Sequence, residues 1–312
     1  MTRKLFIALL IALSLSSASS AQTQTKTLTE RLGYPADAKL LIVHADDLGM
    51  AHSINDASLK AFASGLVNSG SIMVPCPWLT EIASYARSNP NADLGLHLTL
   101  TSEWKNYRWG SIASKDRVAS LLGEDGTFYL TESDAASRIN VSEAEIEIRA
   151  QIERARKLGI QPTHLDSHMG TLYQSKELFD LLLRAGRQNK LPIRMSKEFF
   201  SAMPFLPGLL QPTDLAIDHI VTIGSDVPKE DWVKFYSEAL HNLQPGVTEF
   251  VIHLAHDDEE MKAITVDHPN WGAAWRERDF QFFTSDVFRK LLEENRIKLI
   301  TWRDIRKAQY PQ

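Results

Sequence analysis

Short apolar runs of strand length alternate with amphipathic stretches of helix length along most of this 312-residue chain. The runs fall at residues 39–45, 71–74, 94–100, 163–166, 192–195, 219–223, 250–254 and 298–301. Each is rich in β-branched residues or leucine, the composition that suits a pleated, buried strand. Helical stretches lie between them at about 54–64, 78–88, 143–158, 176–188, 231–242 and 286–295. Alternation of this kind implies an α/β protein with a parallel sheet and helical crossovers. Eight strands in one series favour an irregular (β/α) barrel, closed or incomplete, over an open sheet. The helix at 143–158 shows its start: Ser142 is placed to cap it, and Glu145 can complete a capping box. Residues 104–134 break the rhythm with polar, glycine-containing sequence and read as an insertion over one face.

The N-terminus follows a different pattern. Arg3 and Lys4 precede an apolar run at 5–15, which is too short to span a bilayer, and small residues then lead to Ser19-Ser20-Ala21. That order is the pattern of a signal peptide cleaved near Ala21. The expected organisation is a signal peptide at 1–21, a polar lead-in at 22–37 and a single domain at 38–310. The expected location is periplasmic or secreted, with no stable membrane insertion after cleavage. Cys76 is the one cysteine, so no disulfide forms within the chain and stability has to come from a core. With 39 acidic residues against 34 basic ones, the chain is not strongly basic, and nucleic acid is not an expected partner. Its 44% hydrophobic content excludes a disordered chain.

In a parallel barrel, functional side chains gather at the carboxyl ends of the strands. Here four apolar runs end in aspartate or histidine. The first, LLIVHADDLG, carries His44, Asp46 and Asp47 before Gly49. The second carries His97. The third, THLDSH, carries His164, Asp166 and His168. The fourth, VIHLAHDDEE, carries His253 and His256. Singly these are weak signals: an Asp-Asp pair often caps a helix, and a lone histidine is often a core residue. Adjacent carboxylates in one site repel unless a cation compensates them. Two imidazoles and one carboxylate around a dication leave positions open for water and substrate, the arrangement used in metal-assisted hydrolysis. The same donors describe a non-haem iron oxygenase. An exported glycan-binding protein without turnover is a third reading. Trp104, Trp109, Trp271 and Trp275 lie in loop-like sequence and can either stack on sugar rings or fill the core. The acidic run 257–260 is either a solvated face or a feature of the mouth.

The phrases VHADDLG, GLHLTL and PTHLDSH, in that order, resemble the YdjC-like family of carbohydrate deacetylases, which includes chitooligosaccharide deacetylases. The resemblance runs from about residue 39 to about 306. It implies an irregular barrel of the polysaccharide-deacetylase type, a divalent metal (zinc or magnesium) and an N-acetylated sugar or oligosaccharide as substrate. Position by position, it implies Asp46 as general base and His253 as general acid. Asp47, His97 and His168 would be the metal ligands. Arg194 would orient a carboxylate, and His164 and Asp166 would lie beside the site. His44 stands where many members have asparagine, and the third motif continues as Met169-Gly170-Thr171 rather than with further histidines.

Overall fold

Strand β1 (Lys39–Leu48) lies at the centre of the sheet. The computed structural model describes residues 26–311, and the signal peptide expected at 1–21 lies outside them. The other strands are β2 (Ser69–Ile72), β3 (Leu94–Leu98), β4 (Leu165–Ser167), β5 (His219–Val221), β6 (Gly246–Ile252) and β7 (Lys298–Leu299). All pair in parallel, in the order β4-β3-β2-β1-β6-β5, with β7 against β1. Helices occupy most of the connections, so the chain is α/β with a parallel half-barrel sheet. Residues 192–197 span the gap between the edge strands β4 and β5. They are not the strand expected there: they make only the isolated bridges Leu165↔Ile193 and Ser196↔Ile217. Pro192 has no N–H to donate, and the segment changes partner within three residues, so no ladder extends on either side.

The interior of the half-barrel follows from the two-residue period of a strand. On β1, Leu41, Val43 and Ala45 join the large core cluster beneath the helices. Leu40 and Ile42 point the other way, into a smaller cluster with Val247, Ile217, Ile300 and Trp302. His44 and Asp46 continue that inward column. Buried apolar side chains therefore close one end of the half-barrel, each contributing roughly 1.5–3 kcal/mol for full burial, and charged groups gather at the other. Trp302, fully buried, starts the last helix (Trp302–Gln309) and donates its indole N–H to buried Glu249 at 2.8 Å, on the boundary between the two layers.

Several local expectations are corrected. The helix Val141–Lys157 is capped by Asn140, which accepts from the Ser142 N–H at 2.9 Å; Ser142 is already inside the helix, and Glu145 pairs with Arg184. The lead-in at 22–37 contains a short capped helix, Leu28–Arg31, whose Leu28 joins the smaller core. The helix Ala273–Phe283 escapes periodicity analysis because its buried face includes Arg276 and Asp279 as well as apolar residues. Cys76 is buried. Among the described residues no helix is long and apolar enough to cross a membrane.

Candidate functional site

Period two brings the first site residues together. His44 and Asp46 share the inward face of β1, Gly95 and His97 that of β3, and His164 and Asp166 that of β4's approach. Register then pairs His97 directly with Asp166, and His97 Nδ1 lies 2.7 Å from Asp166 Oδ1. Gly95 is required beneath this layer, because a Cβ there would overlap the His164 ring.

Adjacent residues on a regular strand face opposite sides, so Asp46 and Asp47 need a special backbone to share a site. The pairing of β1 with β2 shifts register between Ala45 and Leu48, and Asp47 has φ 70°, in the left-handed region. A bulge of this kind re-aims a side chain. Both carboxylates consequently approach His97 Nε2, Asp46 Oδ2 at 3.8 Å and Asp47 Oδ1 at 3.5 Å. His168 follows β4, and its Nδ1 lies 3.5 Å from the same Asp47 Oδ1. One donor atom from each of Asp47, His97 and His168 falls within 4.8 Å of the others.

This trio fits a cation on two counts. Asp47 Oδ1 is buried and has no hydrogen-bond partner, while Asp47 Oδ2 is taken by Arg276 at 2.7 Å. The outward nitrogens of both imidazoles face carboxylates, His97 Nδ1 on Asp166 and His168 Nε2 on Glu103 at 2.9 Å. Carboxylate partners of that type fix the ring and leave the inward nitrogen for a metal. Against the cost of burial, the Arg276 guanidinium and His168 hold Asp47 well below the usual carboxylate range. Also against burial, Glu103 and Asp47 push the His168 imidazole up to about 10.

Asp46 lies in a second, charged layer. Arg194 grips it with two bonds, donating from Nη2 to Oδ1 at 2.7 Å and from Nη1 to Oδ2 at 3.2 Å. The same guanidinium reaches Asp166 at 2.8 Å and Glu249 at 3.2 Å. His44 Nε2 is 3.1 Å from Asp46 Oδ1. Against burial, Arg194 and then the His97 and His44 imidazoles hold Asp46 well below its ordinary value. Against burial and Arg194, Asp166 and Asp46 raise His44 to about 9. His164 is fully buried below this layer, stacked on Trp302, and burial pushes its imidazole well down.

His253 follows β6 and is partly exposed. Its backbone N–H donates to Asp279 at 3.0 Å. Desolvation pushes the imidazole down to about 4, with Asp47 opposing and Arg276 reinforcing the shift. Asp279 also accepts from Trp232 Nε1 at 2.9 Å and Tyr236 OH at 3.0 Å, and burial raises its carboxyl to about 7.

The family model described as YdjC-like protein matches residues 40–294. The chain belongs to the YdjC-like family. A carbohydrate deacetylase of Thermus thermophilus is 33% identical over 90% of this chain and 98% of its own length. A chitooligosaccharide deacetylase of Yersinia enterocolitica is 28% identical over 51% of this chain and 60% of its own. A solved protein of Enterococcus faecalis V583, assigned provisionally to cellobiose-phosphate cleavage, is 25% identical. It superimposes with a TM-score of 0.73 over 86% of this chain and 99% of its own.

In this YdjC-like chain, Asp46, Asp47, His97, His168, Asp166 and Arg194 converge, and His164 lies one layer beneath. Glu103, Arg276 and Glu249 also touch this constellation, Asp279 holds the His253 backbone, and none of the four was singled out from sequence. Glu103 carried one available signal, an acid shortly after a strand that ends in histidine. Three of the four tryptophans considered for sugar stacking, Trp104, Trp109 and Trp275, are buried; Trp271 alone is exposed, at 37%. The insertion 104–134 contributes Trp109, which packs 6.1 Å from the His168 ring, so it covers one wall of the site. In the acidic run 257–260, Asp258 caps the helix Glu259–Ile264, and Glu260 accepts from the His52 and Ser53 N–H groups.

Proposed function

We propose that this chain is a metal-dependent carbohydrate N-deacetylase, hydrolysing the acetamide of an N-acetylated sugar or oligosaccharide. The observation that carries the reading is the orphaned Asp47 Oδ1, buried between two imidazole nitrogens whose rings are braced from behind. Asp47, His97 and His168 would hold the ion. Two imidazoles and one carboxylate suit zinc or a similar transition-metal dication better than magnesium, which prefers oxygen ligands. A dication bound there supplies Lewis-acid polarisation of the amide carbonyl and lowers the pKa of a bound water, to about 7 in zinc enzymes.

The chain's own residues supply the proton traffic. Asp46, kept ionised by Arg194, accepts a proton from the attacking water. Against burial, Arg194, His97 and His44 hold its carboxylate ionised and ready to accept. His253 would give a proton to the departing amine nitrogen. With its value near 4 it is neutral at rest, so the proton it would give is the one that Asp46 takes from the water; the C–N bond breaks as that proton reaches nitrogen, leaving acetate and the free amine. General acid–base help of this type contributes roughly 10²- to 10⁴-fold. The names of the Thermus and Yersinia relatives support a carbohydrate substrate. The basic, apolar and small-residue order of residues 3–21 supports export to the periplasm or outside the cell.

The test is an acetate-release screen over N-acetylglucosamine oligomers, other acetylated sugars and peptidoglycan fragments, with zinc, cobalt and magnesium compared. Release that needs a dication supports the reading. Tight glycan binding with no acetate under any of the ions would instead indicate a binding protein, and a strict oxygen requirement would indicate iron chemistry.

A further inference from the structure

Trp271 is the one tryptophan of its neighbourhood left in solvent, and its position is built rather than incidental. Its backbone has φ 56°, in the left-handed region, where an aromatic residue is rare. Its carbonyl accepts from Arg276 Nε at 2.6 Å. The next residue, Gly272, has no space for a Cβ, which would overlap the His268 carbonyl oxygen. His268 in turn packs edge-on against buried Trp104 at 4.9 Å. One face of the Trp271 indole is stacked on buried Trp275, with centroids 5.1 Å apart and planes 30° apart.

The same Arg276 that holds the Trp271 carbonyl donates from Nη2 to Asp47 Oδ2 at 2.7 Å. A single guanidinium therefore joins the Trp271 backbone to the carboxylate of the candidate metal site, so the residue that carries the exposed indole is anchored beside that site. Met169, immediately after His168, is also exposed and also has positive φ, 50°. An indole stacked on a buried neighbour, 37% exposed and carried by a backbone anchored beside a polar site offers a flat apolar surface to solvent. The axial C–H faces of a pyranose ring match such a surface while its hydroxyl groups stay in water.

We propose that Trp271 is a stacking platform for a second pyranose ring of the substrate, next to the ring that is deacetylated. It makes the chain an oligosaccharide enzyme rather than a monosaccharide one. This rests on the carbohydrate reading above. Arg276 is the positioning residue, since it fixes the platform and the Asp47 carboxylate in one geometry.

The experiment compares the unaltered chain with Trp271→Phe, Trp271→Leu and Trp271→Ala. Calorimetry with zinc, on each chain also carrying Asp46→Asn to stop turnover, measures binding of N-acetylglucosamine and of its tetramer; acetate release with zinc is then measured on both with Asp46 intact. Tetramer affinity should fall about tenfold in the Leu and Ala variants and be largely retained by Phe, while monomer affinity stays the same. An unchanged ratio of tetramer to monomer affinity in Trp271→Leu and Trp271→Ala would overturn the platform, as would failure of the unaltered chain to bind the tetramer. Normal tetramer binding that depends on Trp271, without any acetate release, would sink the deacetylase reading and leave the platform standing.

Discussion

Glu103 Oε2 lies 2.9 Å from His168 Nε2, so a carboxylate from the irregular stretch after β3 braces an imidazole that follows β4. Without that acceptor the ring loses its fixed orientation toward Asp47. Glu103→Ala should therefore weaken metal affinity about 10- to 100-fold, read by competition with a fluorescent chelator. His168→Ala should lower metal occupancy further. A fully loaded His168→Ala protein would mean that the third ligand is another group.

Asp46 and Asp47 are neighbours in sequence with separate surroundings, Arg194 on one and Arg276 on the other. Asp46→Asn should cut acetate release by about 100-fold or more and leave metal content normal by elemental analysis. Metal loss in that variant would contradict the division of roles between the two aspartates.

Asp279 collects three donors: the His253 backbone N–H, the Trp232 indole and the Tyr236 hydroxyl. Asn in its place presents an amide N–H₂ in place of one accepting oxygen, so at least one donor is opposed. Asp279→Asn should cost about 1–3 kcal/mol, seen as a lower Tm. It should also lower kcat more than it changes KM, because His253 loses its backbone anchor. An unchanged kcat at lowered Tm would confine Asp279 to a packing role.

In the metal-free protein His44 is held up to about 9 and His168 to about 10, against an ordinary 6.5. Both folded values exceed the unfolded one. The stability they contribute is fully present below about pH 6.5 and is lost as pH rises through 9 to 10. Tm in chelator should therefore fall across that window. A metal on His168 has to displace a proton, so affinity should rise with pH and the loaded protein should decline less steeply. Thermal melts from pH 6 to 10, with and without zinc, check this; parallel curves would remove His168 from the ligand set.

Much of the site was legible because a parallel strand carries functional groups at its carboxyl end and alternates them with period two. HADD, GLHL and THLDSH each lie in or at the end of an apolar run, so His44, Asp46, His97, His164 and Asp166 could be assigned to strand ends. The run at 192–195 was legible as an apolar stretch but not as a pair of isolated bridges, since that depends on partners that the chain does not announce. The cap expected at Ser142 falls to Asn140, two residues earlier, whose side chain accepts from the Ser142 N–H and so starts the helix sooner. Arg276 and Asp279 were hidden by their own helix, whose buried charges blur the apolar stripe that reveals a helix.

By itself, the amino-acid order determined the alternation of strands and helices, the parallel class of sheet and the concentration of histidine and aspartate at one end of it. Those properties are local, set by periodicity and by which residues fit a pleated strand. Tertiary structure alone decided that Asp46 and Asp47 share a site, since a bulge against β2 and a left-handed turn at Asp47 re-aim one of them. It alone decided that Glu103, Glu249 and Arg276 stand beside the candidate site, and that one tryptophan of four stays in solvent. Contacts between residues tens to hundreds of positions apart depend on strand order and register, and no stretch of sequence encodes these on its own.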